Sequence, residues 1–596
     1  MGIEAGDSAD NYTLPLQTTM LSFLPLGLLL LSSAFALAAA PTAAEATTYV
    51  YSGNLTWQEQ FSVRTCSGLI NRNVSKPAYI VQNMNDIWLQ VLYNVTTPTL
   101  TPVTSFLNTC LEIYGGKYIL YNAHTQQSLV PELMTLAGVL GAVPFDTSVS
   151  KSLPSSATVL AFDGTVSFKD FQPIDATRYV YQHHLNATTG MAKLNPGYAG
   201  QGCPGPSCFH PNITRGPSLG LTDYIVYAKL FNTYLTEGCL PFTKENALLK
   251  TIVQESSWPK PVRVMGYDNS FVVEGGDFFE AETLCDLNVG MGQVASAGTA
   301  NLAYYTQKAP RVTSPLPFNP TPATSFNKSK TYIAFVVGDG DNLDYIFGNE
   351  RRAWIEERLE MCANKQCSYP LLWTMSPHML YLAPDVVRWY GDQLLQTQTD
   401  RFALPPSGDL YSYPELFPEK DQDTHVRNTE RDAYLLSTSV TTDWEWASRW
   451  NKALESFFPK YATAGIITSL VTVNTPYNIP TFAFGDDLYK VCNTKICMKG
   501  AGGDGNKTVV FRPHEWRGTR GSTIPWANEE NLNVSAMAAE INGYAPGSVS
   551  AVYLTSDGGG NLQDIDALVN VLDEHVEVVG TNIGAMALAA DKEKST

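Results

Sequence analysis

Charge is sparse in this chain: only 16% of its 596 residues are charged, and its 39 basic residues never gather into a cluster. At a formal charge of −18 it would repel a phosphate backbone, which excludes nucleic acid as a partner. Beyond residue 40 no apolar run approaches the roughly 18 residues of a membrane span, so no stable span is expected in the mature chain. The C-terminal half has no G-x-G-x-x-G or Walker-type loop and no H-x3-H pair, and no G-x-S-x-G elbow follows a predicted strand. Nucleotide chemistry, zinc hydrolysis and a serine triad lose their usual signatures there.

What is present begins with MLSFLPLGLLLLSSAFALAAA, residues 20–40, an apolar run ending in small residues that reads as a signal peptide starting at Met20. Ala36-Leu37-Ala38 and Ala38-Ala39-Ala40 are the candidate cleavage sites, and an uncleaved anchor is the alternative. Secretion is therefore the expected localisation. Eight N-x-S/T sequons follow, at Asn54, Asn73, Asn94, Asn186, Asn212, Asn327, Asn506 and Asn533. The ten cysteines suit an oxidising compartment. Three pairs share C-x4-C spacing, which predicts local bridges Cys203–Cys208, Cys362–Cys367 and Cys492–Cys497. Elimination leaves Cys66 with Cys110 and Cys239 with Cys285.

With 44% hydrophobic residues and this length, the chain can bury several cores. From 41 to 320, short β-rich runs such as KPAYIV and KYILYN alternate with helical stretches such as LVPELMTLAGVLGAV, which predicts two or three small α/β subdomains. The proline-rich stretch from Pro310 to Lys330 marks the main boundary. From 328 to 596 strand and helix alternate: TYIAFVV, LLWTM, RFALPP, GIITSLVTV, TVVFRP and VSAVYLTS are continuous apolar strands, which imply a parallel sheet. The expected fold is α/β, with the small N-terminal subdomains followed by a C-terminal β/α barrel of the TIM type, complete or partial. An open doubly wound sheet is the alternative.

In such a barrel the chemistry sits where strands end. TYIAFVV ends in Gly338-Asp339-Gly340-Asp341-Asn342, LLWTM in Ser376-Pro377-His378, and RFALPP in Ser407-Gly408-Asp409-Leu410-Tyr411-Ser412-Tyr413-Pro414-Glu415. TVVFRP runs into His514-Glu515-Trp516, and VSAVYLTS into Asp557. Gly408 to Pro414 resembles the motif of the GxGYxYP proteins, with Leu410 in place of the second glycine. The DGDN segment, Ser376-Pro377 and GLINR at 68–72 extend the resemblance over most of the mature chain. It implies an N-terminal α/β region, a barrel-like C-terminal domain and glycoside hydrolysis.

Glycoside hydrolysis needs one proton-bearing carboxyl and one ionised partner. Asp339 or Asp341, with Glu515 or Glu415, are the candidates. The blander reading of DGDN is an Asx turn or an oxygen-ligand site for a divalent cation such as Ca²⁺; no other cofactor is expected. Asn342, His378, Tyr411, Tyr413, Arg512, Trp516 and Asp557 are the candidate sugar contacts, the aromatic faces stacking on a pyranose. Asp443 and Glu445 read as helix-capping residues. Two rival functions remain: a carbohydrate-binding protein without turnover, and a metal-dependent carbohydrate esterase or deacetylase built on Asp339, Asp341 and His378. Leucine at 410 would fill space that glycine leaves open to a ligand, which predicts altered or lost activity.

Overall fold

The computed structural model describes the chain from residue 47 onward, apart from 74, 149–157, 160–170, 197–215, 239–240, 267–288, 297, 319–324, 363–366, 446–451, 474–507, 512, 517–531, 555–561 and 596. All described residues belong to one compact unit, Glu45–Thr596. Among the described residues nine strands precede the proline-rich stretch: β1 (Thr48–Tyr51), β2 (Ala78–Val81), β3 (Lys117–Tyr121), β4 (Val143–Asp146), β5 (Thr158–Val159), β6 (Met191–Lys193), β7 (Phe231–Asn232), β8 (Val262–Gly266) and β9 (Met291–Val294). They form three parallel sheets, β1-β2, β4-β3-β5 and β7-β6-β8-β9, with described helices between β1 and β2, β2 and β3, β3 and β4, β5 and β6, β6 and β7, and β7 and β8.

After the proline-rich stretch come β10 (Thr331–Val337), β11 (Leu372–Thr374), β12 (Arg401–Ala403), β13 (Val440–Asp443), β14 (Ser469–Thr472), β15 (Val509–Phe511), β16 (His514–Trp516), β17 (Val549–Leu554) and β18 (Val576–Val578). All their pairings are parallel, as expected for apolar strands separated by helices. They divide into one sheet ordered β12-β11-β10-β17-β16, with β18 beside the start of β10, and a second ordered β13-β14-β15.

Among the described residues the expected barrel is not closed by a continuous ladder. Between β12 and β13 there is a single pairing, Leu404 with Thr441. The chain passes from β15 to β16 through Pro513, which has no N–H to give a ladder.

The side chains alternate about the strands with period two. Val336, Leu372, Ala403, Val440, Val471, Phe511 and Ala551, taken from β10, β11, β12, β13, β14, β15 and β17, pack into one cluster with Ile583 and Met586 of the last helix. Their neighbours Phe335, Trp373, Phe402, Leu470, Val510 and Val552 pack into another, on the side of the helices. That larger core also holds Trp57, Leu133 and Met291 from the first half, so apolar packing continues across the proline-rich stretch.

The Cys362–Cys367 bridge is formed, with Cα atoms 4.9 Å apart. Cys66 and Cys110 correct the expected pairing, because both are buried free thiols. Each donates to a carbonyl of the other's surroundings instead, Cys66 to Phe106 O and Cys110 to Cys66 O, both at 3.8 Å. Cys203, Cys208, Cys239, Cys285, Cys492 and Cys497 lie outside the described residues, as do the signal-like segment and the sequons at Asn212 and Asn506.

Candidate active site

Close packing of backbone builds the turn after β10. A Cβ on Gly340 would collide with the Thr374 carbonyl, and one on Gly338 would lie 2.5 Å from the Tyr553 hydroxyl. The Gly340 N–H donates to Thr374 Oγ1 at 2.9 Å, and that hydroxyl donates to Val337 O at 2.7 Å, which ties the turn to β11. Asp339 takes a left-handed backbone, φ 61°, which reverses the chain. Its N–H donates to the hydroxyl of Tyr553, a buried residue near the end of β17.

Three carboxylates lie close enough for their charges to act on that hydroxyl. Burial, then the charges of Asp339, Asp341 and Glu515, push the Tyr553 pKa well up. Glu515 arrives because β16 pairs in register with β17, setting it opposite Tyr553. Asp341 is pushed up to about 7, first by desolvation and then by the Asp339 charge, against a weaker pull from Arg351. Arg351 donates to Gly338 O and lies over the rings of Tyr345 and Trp373. The structure thus brings together Asp339, Asp341 and Glu515 from the predicted catalytic set.

The fourth candidate, Glu415, belongs to a neighbouring group. Tyr411, Tyr413 and Trp444 form a small aromatic core with Ala295, the Tyr411 and Trp444 rings 4.7 Å apart and edge to face. Both tyrosines are buried, so their faces are spent on protein packing rather than offered for stacking. Glu415 is buried beside them; its N–H donates to Glu445 at 2.9 Å, and its carboxylate pairs with Lys452. Asp443 and Glu445 correct the capping expectation. Asp443 is the last residue of strand β13, opposite Thr472 of β14, and both carboxyls are fully buried at a strand end.

Leu410 also behaves differently from expectation. Its side chain turns inward onto Gly292 of β9, where a Cβ would meet Leu410 Cδ1 at 2.8 Å. The space it fills lies within the packed interior, so leucine here does not occupy a ligand's place. The same contact line ties the motif to the first half of the chain: Gln293 and Tyr411 exchange backbone hydrogen bonds of 3.0 and 2.9 Å. Just beyond, Ala295 O accepts from Leu343 N at 2.9 Å, so the end of β9 touches both strand-end turns.

Asp409, unmarked in the sequence reading, is the anchor of the motif. Arg263 of β8 donates to both its oxygens at 2.9 and 3.0 Å, and Asn428 to one at 2.9 Å. Although burial opposes it, the Arg263 charge leads the forces that hold Asp409 down at about 2. Burial lowers the buried His378 and His425 to about 4, so both imidazoles flanking Asp409 stay neutral. The Nδ1 of His378 meets the Tyr381 hydroxyl at 2.5 Å. Its charged neighbours are Asp409, Arg263 and Arg431, with neither Asp339 nor Asp341 among them, which leaves the predicted esterase triad unassembled.

Two further candidates for sugar contact, Asn342 and Trp516, make contacts within the protein. The Asn342 side chain accepts from Asp344 N at 2.9 Å and caps the helix Leu343–Phe347. Trp516 is buried on the helix side and donates to Leu532 O at 2.8 Å, because the residue after an inward Glu515 must face outward. Arg512 and Asp557 lie outside the described residues. Among the described residues no group of three or more His, Cys, Asp or Glu is arranged to hold a metal ion, and no helix is long and apolar enough to cross a membrane.

Parallel strands with carboxylates at their C-terminal ends define a mixed α/β protein with a polar centre. Residues 329–474 match the family described as the GxGYxYP putative glycoside hydrolase C-terminal domain. The region that matches contains the DGDN turn, Ser376-Pro377 and the motif at 408–414. A crystal structure of a putative hydrolase from Bacteroides thetaiotaomicron VPI-5482 shares the fold: 17% identity, TM-score 0.64, over 91% of this chain and 94% of that one. No curated protein matches the chain.

Proposed function

We propose that this chain is a secreted glycoside hydrolase whose acid and partner carboxylates are Asp341 and Glu515, with Asp339 and Tyr553 shaping the charge between them. The observation that carries the reading is that three carboxylates, two from the turn after β10 and one from β16, act on one buried tyrosine hydroxyl, with Glu515 in register opposite that tyrosine. The match of residues 329–474 to a glycoside hydrolase domain supports it. A carboxyl held near 7 keeps its proton at neutral pH and can pass it to a glycosidic oxygen as the anomeric C–O bond breaks. The ionised partner then balances positive charge at the anomeric carbon, directly or through a water that supplies the new hydroxyl.

The same reading places these residues at the mouth of a seven-stranded ring, β10 to β14, the β15–β16 pair and β17. Its support is the apolar cluster that takes alternate side chains from those strands and is packed by the last helix near Ser469, the start of β14. Export follows from the apolar run at 20–40 and is checked by sequencing the N-terminus of protein recovered from culture medium.

Reducing-end release from a panel of polysaccharides tests the function. Asp341→Asn and Glu515→Gln are each expected to cut kcat by ~10²–10⁴-fold, and the unaltered protein should lose kcat/KM as pH rises through about 7, where Asp341 surrenders its proton. Silence across the panel with glycan binding intact would transfer the assignment to a carbohydrate-binding protein.

A further inference from the structure

We infer that Arg351 is a positioning residue for the proposed reaction: it pins the DGDN turn and takes up the negative charge that Asp341 acquires on releasing its proton. The inference rests on the glycosidase reading and deepens it.

Arg351 lies on the helix Asn349–Cys362 and is 1% exposed. A guanidinium stays charged at every ordinary pH, and a charge sealed in protein calls for an anion beside it. Arg358 of the same helix has one, Asp400 at 3.1 Å. Among the described residues Arg351 pairs with no carboxylate. Its Nη2 donates to Gly338 O, while Nε and Nη1 are buried donors without a partner. Tyr345 and Trp373 lie 4.9 and 5.7 Å away, ring contacts that do not satisfy those N–H groups.

The guanidinium is set against the turn that carries Asp341. Its Nη2 is 3.4 Å from Thr374 Oγ1, the hydroxyl that accepts from Gly340 N at 2.9 Å, and Asp341 is the next residue. The charged or titratable groups around Asp341 are Asp339 of its own turn, Arg351 of the helix and Tyr553 of β17, with Glu515 of β16 beyond that tyrosine. Arg351 is the cation among them. Asp341 itself is half-buried.

In the proposed step the Asp341 proton passes to the glycosidic oxygen, which also takes the electron pair of the breaking anomeric C–O bond. A carboxylate remains, and its oxygens are the acceptors that Nε and Nη1 lack while Asp341 is protonated. Arg351 therefore stabilises the state after proton release more than the state before it, which is the condition for lowering a barrier rather than tightening binding.

The test follows Asp341 in two ways: the pH profile of kcat/KM, and the carboxyl ¹³C signal of labelled aspartate, assigned by its absence in Asp341→Asn. Arg351→Gln keeps a donor for Gly338 O but removes the charge. It should cut kcat by ~10²-fold with KM little changed, and raise both the pH limb and the carboxyl titration by about one pH unit. Arg351→Lys keeps the charge and should leave both near their original pH. Denaturant midpoints verify folding. Should Arg351→Gln not fold, Arg351→Lys decides through kcat, which should fall ~10-fold because lysine lacks the fork; an unchanged kcat would overturn the inference. Equal losses of activity in both variants without movement of the limb or the signal would also overturn it, leaving Arg351 a packing residue. Turnover whose pH limb ignores Arg351→Gln sinks the inference and leaves the glycosidase reading standing. A carboxyl titration that rises in a protein without turnover on any glycan sinks the glycosidase reading and leaves Arg351 as the partner of Asp341.

Discussion

Two carboxylates, half-buried Asp341 and buried Asp409, sit on neighbouring parts of one structure and are driven in opposite directions. Both are desolvated. At Asp409 the Arg263 guanidinium supplies two hydrogen bonds and its charge outweighs burial, so the carboxyl is ionised at every ordinary pH. At Asp341 the Arg351 charge is weaker than desolvation, and Asp339 adds repulsion. Arg351 spends its guanidinium on Gly338 O and two aromatic rings. A carboxylate held ionised by its cation locks a loop, whereas one held near 7 can move a proton. That distinction sets Asp409 in the architecture and suits Asp341 to the proposed proton transfer.

Removing the cation at Asp409 is the severest way to break the comparison. Arg263→Met strands a buried charge and should destabilise the protein by ~3–5 kcal/mol, read as a lowered denaturant midpoint. The burden falls on the whole motif, because Asp409 links β8, the helix Glu419–Leu435 and the loop through Arg263, Asn428 and the Thr429 hydroxyl, which accepts from Asp409 N at 3.1 Å. Asp341→Asn, by contrast, should leave the midpoint unchanged or raise it, since the variant removes an ionisation that burial already opposes. Equal losses of stability in the two variants would show that both carboxylates are architectural.

The contact of the motif with β9 gives a middle-sized effect. Leu410→Ala opens a cavity against Gly292 and Phe417 and should cost ~2–4 kcal/mol, with activity per folded molecule retained because the side chain faces the interior. A selective loss of activity at unchanged stability would return Leu410 to the ligand side.

Much of this was legible in the sequence where a signal was local. TYIAFVV and VSAVYLTS declared themselves as buried strands, and strand-end position singled out Asp339, Asp341 and Glu515 before their convergence was visible. Period two in the HEW segment also held the fate of Trp516, once Glu515 was fixed inward. Long-range partners left no such mark. Nothing near Asp409 announces Arg263, since the two meet only when β8 packs against the motif. The helix Glu419–Leu435 hid behind a charged face. The strand Val440–Asp443 was hidden by its own ending, because an acidic residue after threonines reads as a helix cap whether or not a helix follows. Tyr553 was passed over as one more apolar strand residue, though it is the group on which the three carboxylates converge.

The smallest expected effect separates the two faces of the DGDN turn. Asn342 caps the short helix Leu343–Phe347 through a single hydrogen bond to Asp344 N. Asn342→Ala should therefore cost about 1 kcal/mol, and Asn342→Asp should recover most of that, because a carboxylate caps as well and suits the positive end of the helix. If the side chain instead bound substrate through its amide, aspartate would fail to restore KM while restoring stability. A thermal midpoint recovered together with an unchanged KM keeps Asn342 with Asp409 among the residues that hold the site, and leaves the proton chemistry to Asp341 one residue before it.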